Sequence, residues 1–139
     1  MTAELSPPAT VLLCEDSAEL RTVLRASLER DHDIQVIAEA GDGPSALALA
    51  SSERPEVIVL DLTVPGMDAH ELLERLRKLT RDAGVVLYSG ERPSAMRTLA
   101  SEFPDVFAVS KTSPPDELRD AVRSAARSSR RADTGVSGS

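Results

Sequence analysis

The chain has 139 residues, of which 41% are hydrophobic and 28% charged, and its formal charge is −7. That length suits one domain with a real core, and the composition excludes a disordered polymer and a membrane protein. The acidic balance argues against binding to a phosphate backbone, which normally uses a basic face, so no direct nucleic-acid contact is expected.

Short β-type runs alternate with helical spacing. The first run is Thr10-Val11-Leu12-Leu13-Cys14. Ser17 then fits a helix N-cap, and Leu20, Val23, Leu24 and Leu28 recur at i, i+3, i+4 and i+8. A second run, Ile34-Gln35-Val36-Ile37-Ala38, precedes Gly41-Asp42-Gly43-Pro44. There Pro44 fits a first helical turn, and Ala46, Leu47 and Ala50 form a modest apolar stripe. The third run, Val57-Ile58-Val59-Leu60, is apolar without alternation, as in a strand covered on both faces, and Asp61 ends it. Asp68 with Glu71 reads as a capping box, opening a helix with Ala69, Leu72, Leu73 and Leu76 on one side. Gly84 stops that segment, and Val85-Val86-Leu87-Tyr88 makes the fourth run. Met96, Leu99, Ala100 and Phe103 keep helical spacing, and Val106-Phe107-Ala108-Val109 makes the fifth run. Ser113-Pro114-Pro115 starts a last helix carrying Leu118, Ala121, Val122 and Ala125.

This alternation predicts an α/β fold: a doubly wound five-stranded parallel sheet with five helices covering both faces. Residues 1–9 and 129–139, rich in Pro, Ser, Gly and charge, are expected to fray as tails around a body at 10–128. Aromatics amount to 2%, namely Tyr88, Phe103 and Phe107, so the core must be aliphatic. Cys14 is the single cysteine, which excludes an internal disulfide and suits a reducing compartment. No stretch approaches the ~20 apolar residues of a spanning helix, and residues 1–8 show no signal-peptide pattern. A cytoplasmic location without membrane contact is therefore expected.

In such sheets ligands gather at the carboxyl ends of the strands. The first run ends in Glu15-Asp16, the third in Asp61, the fourth in Ser89-Gly90 and the fifth in Ser110-Lys111. Three carboxylates brought together repel one another unless a cation sits among them. An acidic oxygen-rich pocket beside a lysine suits Mg²⁺ and a phosphoryl group, and Asp61 is placed to be a nucleophile that forms an acyl phosphate.

With these residues in this order, the chain resembles the receiver domain of two-component response regulators. The resemblance covers about residues 10–127 and rests on Leu12-Leu13-Cys14-Glu15-Asp16-Ser17, on Asp61-Leu62-Thr63-Val64-Pro65-Gly66-Met67-Asp68, on Ser89-Gly90 and on Lys111. It implies a flavodoxin-like fold in which Asp61 accepts a phosphoryl group from a sensor histidine kinase or phosphotransfer protein. It implies that Asp16 ligates Mg²⁺ directly, that Glu15 supports the ion through water, and that the Thr63 carbonyl is a third protein ligand. The Thr63 side chain would face the site mouth. Ser89 would move toward the phosphoryl oxygens, Gly90 would keep the phosphate approachable, Lys111 would pair with it, and Pro65-Gly66 would shape the turn. The chain would then be a relay rather than an enzyme, biasing contacts with a downstream effector protein, with homodimerisation left open.

The sequence departs from that family's pattern at the aromatic often found three residues before the lysine, where Ala108 stands. Phe107 is one place earlier and faces the other side of a strand, so it is no substitute. Pro104-Asp105 and Thr112 are further departures. Ala108 is the hint for a rival reading, a phosphorylation-independent interaction module. A second rival is the N-terminal receiver of a helix-turn-helix regulator whose output domain lies outside this chain, suggested by the stretch Ala38-Glu39-Ala40-Gly41-Asp42-Gly43. An aspartate-nucleophile phosphohydrolase would need a second acid where Thr63 stands. Taken singly, Ser89 reads as a turn serine, Lys111 as a surface lysine, Asp68 as a cap, Cys14 and Tyr88 as core residues, and His32 and His70 as isolated polar positions.

Overall fold

The computed structural model describes residues 7–90 and 93–138, with side chains over 7–90 and 94–131. Across these residues run β1 (Ala9–Cys14), α1 (Ala18–Leu28), β2 (Ile34–Ala40), α2 (Gly43–Glu53), β3 (Val57–Asp61), α3 (Ala69–Leu79), β4 (Gly84–Ser89), α4 (Pro93–Glu102), β5 (Phe107–Ser110) and α5 (Pro115–Gly138). The sheet order is β2-β1-β3-β4-β5 with every neighbouring pair parallel. The doubly wound arrangement predicted from the alternation is thus present, and the chain reverses direction across the sheet beside β1, which lies between β2 and β3.

Because side chains alternate across a strand, the apolar runs feed two cores at once. Val11 and Leu13, Val57 and Val59, Val86 and Val109 face one side, where they meet Leu24 and Leu28 of α1 and Leu118, Val122 and Ala125 of α5. Leu12 and Cys14, Ile58 and Leu60, Val85 and Leu87 face the other, against Ala46 and Ala50 of α2, Leu72, Leu73 and Leu76 of α3, and Leu99 of α4. All five residues of β3 are buried, which explains its lack of alternation. Each fully buried Leu or Val contributes roughly 1.5–3 kcal/mol relative to exposure, so an almost wholly aliphatic chain can still hold a two-layer core.

The helix starts follow the sequence signals. Ser17 accepts a hydrogen bond from Leu20 N at 3.1 Å, and Asp68 accepts one from Glu71 N at 3.2 Å. The Glu71 carboxylate turns to Arg75 at 2.8 Å, so the capping box is half made. Pro44 lies in the first turn of α2, and Asp42, not singled out in the sequence, is its cap, accepting from Ser45 N at 2.8 Å.

Three features depart from expectation. Val23 is 62% exposed, because the buried arc of α1 follows Leu20, Leu24 and Leu28 and leaves Val23 at its edge. The strand after Asp33 runs two residues further than predicted, to Ala40. The last helix does not stop at residue 128. Ser129 is buried, continuing the stripe of Leu118, Val122, Ala125 and Ala126 by one more turn, and Arg130 pairs with Glu56 at 2.8 Å. A serine is too polar to be counted in an apolar periodicity, which is why that turn reads as tail. The N-terminal tail at residues 1–6 and Ser139 lie outside the described residues.

Candidate functional site

The site is built where the ladders run out. Glu15 N donates to Ala40 O at 2.9 Å and Lys111 N to Ser89 O at 2.8 Å, so each residue is held one step past its strand. Glu15 follows Val11 and Leu13, Asp61 follows Val57 and Val59, and Lys111 follows Phe107 and Val109. By strand alternation all three leave the sheet on the α1/α5 side. Glu15 and Asp61 are only 2% and 1% exposed, unusual burial for carboxylates.

Lys111 Nζ lies 2.7 Å from Asp61 Oδ2 and 3.2 Å from Glu15 Oε1, one cation shared by two acids. Asp61 Oδ1 accepts from both Thr63 N and Thr63 Oγ1 at 2.9 Å, and Glu15 Oε2 accepts from Ser17 N at 3.0 Å. Burial, and then the neighbouring Asp61, push Glu15 up to about 7. Burial works against the charge of Asp61 too, but the bonds from Glu15, Lys111 and Thr63 outweigh it and hold Asp61 below the usual carboxylate range. The two neighbours are therefore driven in opposite directions, ionisation being favoured at Asp61 and opposed at Glu15. Burial alone would lower Lys111, but Asp61 and Glu15 raise it, so it stays an ammonium.

The structure brings together Glu15, Asp16 and Asp61, each offering a carboxylate oxygen within 4.8 Å of the others. Asp16 is the exposed member. Three hard oxygen donors of this kind fit Mg²⁺. Thr63 is exposed, and its hydroxyl also donates to Asp61 Oδ1. Gly90 also acquires a specific reason: a Cβ there would sit 3.3 Å from Lys111 Cβ and Cδ, so glycine leaves room for the lysine stem. Gly66 shapes the turn after Asp61 with φ +92, and Pro65 O accepts from Gly43 N at 2.9 Å, pinning this loop to α2. Asp68 caps α3, and His32 and His70 lie away from the cluster, with His70 paired to Glu102 at 2.6 Å.

Ser89 is buried at the end of β4 but has the opposite parity, facing α4. There, with Gly90, Met96, Arg97, Ala100, Ala108 and Ser110, it lines a cavity of about 250 Å³. Phe107 packs into the α1/α5 core instead, so the sequence inference that it cannot stand in for an aromatic at 108 agrees with the geometry. One neighbour of the site was missed. Tyr88, read as a core residue, does pack on the α1/α5 core, but its ring also lies 5.5 Å from Lys111 Nζ. The available signal was its position, the last residue before the strand-end serine and of the parity that faces Lys111.

The comparisons agree with this geometry. The family model for the response regulator receiver domain matches residues 11–123. The chain is 31% identical over 128 residues to the transcriptional regulatory protein LiaR of Bacillus subtilis, covering 92% of this chain and 61% of that protein. It is 42% identical over 71 residues to the nitrate/nitrite response regulator protein NarL of Escherichia coli, covering 51% of this chain and 33% of NarL. The chain thus spans a third to three-fifths of these relatives. A two-component response regulator of the LuxR family from Aurantimonas superposes with a TM-score of 0.79 at 29% identity, covering 86% of each chain. Fold, strand-end acids and sequence similarity converge, and the chain belongs to the response regulator receiver domain family.

Proposed function

We propose that Asp61 is the residue this receiver phosphorylates, in a Mg²⁺-dependent transfer from a sensor histidine kinase or phosphotransfer protein. One observation carries the reading: a 1% exposed aspartate at the end of β3 is kept anionic by Lys111 at 2.7 Å while two further carboxylates stand beside it. An Asp61 carboxylate oxygen attacks the phosphorus of a phosphohistidine. The new O–P bond forms as the N–P bond breaks, and the imidazole nitrogen keeps the electron pair and takes up a proton.

Asp16 and Asp61 would hold the metal with the Thr63 carbonyl, and Glu15, already committed to Lys111 and Ser17 N, would support it through water. When bound, Mg²⁺ neutralises charge gathering on the transferred group. Lys111 and the Gly90 backbone receive the phosphoryl oxygens, and Ser89 does so by turning from the α4 cavity toward them. The phosphorylated form then favours contacts with a downstream effector protein, in a longer chain or a separate one, and pairing with a second copy is compatible with it. Among the described residues no helix is long and apolar enough to cross a membrane, which suits a cytoplasmic relay.

Intact-protein mass spectrometry after incubation with acetyl phosphate and Mg²⁺ tests this directly. One phosphoryl adduct is expected, lost with excess chelator and absent from Asp61→Asn. No adduct in the unaltered chain with acetyl phosphate or a panel of sensor kinases would overturn the assignment, leaving a phosphorylation-independent interaction module.

A further inference from the structure

We propose that Tyr88 is a positioning residue that follows the state of Asp61 through Lys111 and carries it toward α5; this rests on Asp61 being the phosphoacceptor. Three observations lead there. First, register places the ring at the site. Tyr88 is the cross-strand partner of Asp61 on β3 and of Val109 on β5, and Lys111 is two residues beyond Val109 on the same strand face. Second, the Lys111 ammonium is divided between Asp61 at 2.7 Å, Glu15 at 3.2 Å and the Tyr88 ring at 5.5 Å from its centroid. An ammonium over a ring face is attracted by the ring quadrupole, so displacing the cation changes the force on the ring. Third, Tyr88 is half-buried, with its body against the core that contains Val109, Leu118 and Val122, so a shift of the ring is felt by α5.

The other aromatic side chains are elsewhere. Phe107 lies four residues back along β5 from Lys111, within the core, and Phe103 stacks edge-on with His70 near the end of α4. Position 108 offers only a methyl group, facing the α4 cavity. A phosphoryl group on Asp61 puts new anionic oxygens beyond the carboxylate, and Lys111 must re-partner to meet them. The ring beside it then loses or gains the cation, and the balance between two placements of Tyr88 shifts. The direction of transmission is set by parity: toward α5, not into the α4 cavity.

The sequence supplies its own probe, because the chain has one tyrosine and no tryptophan. Fluorotyrosine incorporation therefore gives a single ¹⁹F resonance, read beside intact mass in the same sample, with Mg²⁺ alone as the control. The expected result is a second resonance whose fraction equals the phosphorylated fraction by mass. Lys111→Gln, without any donor, is expected to move the resting resonance as well. Hydrogen exchange of residues 115–128 should change about threefold or more on phosphorylation. Tyr88→Phe, which keeps the ring, should retain that change, and Tyr88→Leu should lose it while still forming the adduct.

An adduct with an unmoved resonance overturns the proposal, as does a Tyr88→Leu protein whose α5 response persists. If no adduct forms, the reading of Asp61 fails on its own account. The Lys111→Gln comparison then still decides whether the ring follows the lysine, and an unmoved resonance there sinks the proposal independently.

Discussion

Asp61 gives up water almost completely, yet it is held as an anion because Lys111 Nζ, Thr63 N and Thr63 Oγ1 replace the lost hydration. Two of those three donors come from the turn that follows it, so the conformation of that turn is part of the electrostatics of the site. The turn depends on Gly66, whose φ of +92 is a left-handed value that side chains adopt at a cost. An added Cβ would also stand 3.0 Å from Pro44 Cδ, in the first turn of α2. Gly66→Ala is therefore expected to destabilise the fold by about 1–2 kcal/mol in urea denaturation. It should also slow adduct formation on Asp61, because the loop bearing Thr63 is displaced. A variant with unchanged stability would show that the turn relaxes freely. At this scale the acids and the lysine were legible in the sequence, since each closes an apolar run and the topology sends strand ends to one edge. The Thr63 hydroxyl was not, because its direction depends on a turn rotamer that spacing does not encode. Tyr88 was half legible: burial followed from its run, but its contact with Lys111 depends on the register of two strands that are not adjacent in sequence.

Among the elements, α5 shows most clearly what a pattern of apolar residues can miss. The helix signal at Pro115 and the stripe from Leu118 to Ala125 were readable, but the next turn is closed by polar groups. Arg130 donates to both carboxylate oxygens of Glu56, at 2.8 and 3.0 Å, and to Pro7 O at 3.1 Å. Glu56 in turn accepts from Thr10 N at 3.2 Å. One carboxylate thus ties the start of β3 to β1 and to the far end of α5. Arg130 pulls Glu56 below its usual range, against the opposing effect of burial. A carboxylate lowered on folding contributes stability that is present above its unfolded value, near 4.3, and is lost as pH falls through the folded value. Glu56→Gln should consequently cost about 0.5–1.5 kcal/mol at pH 7. The gap between the two proteins should narrow as pH falls through the folded value, where the unaltered glutamate becomes protonated in both states. Thermal unfolding followed at pH 7, 5 and 3 measures this. A gap that widens toward acid pH would assign the stabilisation to some other group.

Across the whole molecule, one alternation of side chains does two jobs. It divides the apolar residues between an α1/α5 core and an α2/α3/α4 core, and at the strand ends it divides the polar ones in the same way. Glu15, Asp61, Tyr88 and Lys111 go to the first side, and Ser89, Ala108 and Ser110 to the second. That the site lies at this edge was readable from the order of elements. Which face reads it was not, because the answer depends on a lysine placed by β5 and a ring placed by β4. The arrangement also concentrates negative charge, for a chain of net charge −7 has three of its acids within 4.8 Å and a single lysine among them. A divalent ion that relieved this repulsion would bind the folded state and find no assembled site in the unfolded one. Stability should therefore rise with Mg²⁺ by mass action, by about 1.4 kcal/mol for each tenfold increase once the site is saturated. Raising KCl to the same ionic strength should give a smaller effect, since screening acts weakly on charges this buried. Asp16→Asn and Asp61→Asn should each flatten the Mg²⁺ dependence of Tm, whereas Asp42→Ala, which removes a helix cap outside the acidic trio, should lower Tm without altering that dependence. Equal responses to Mg²⁺ and KCl in all four proteins would mean that the acidic trio senses ionic strength and holds no metal.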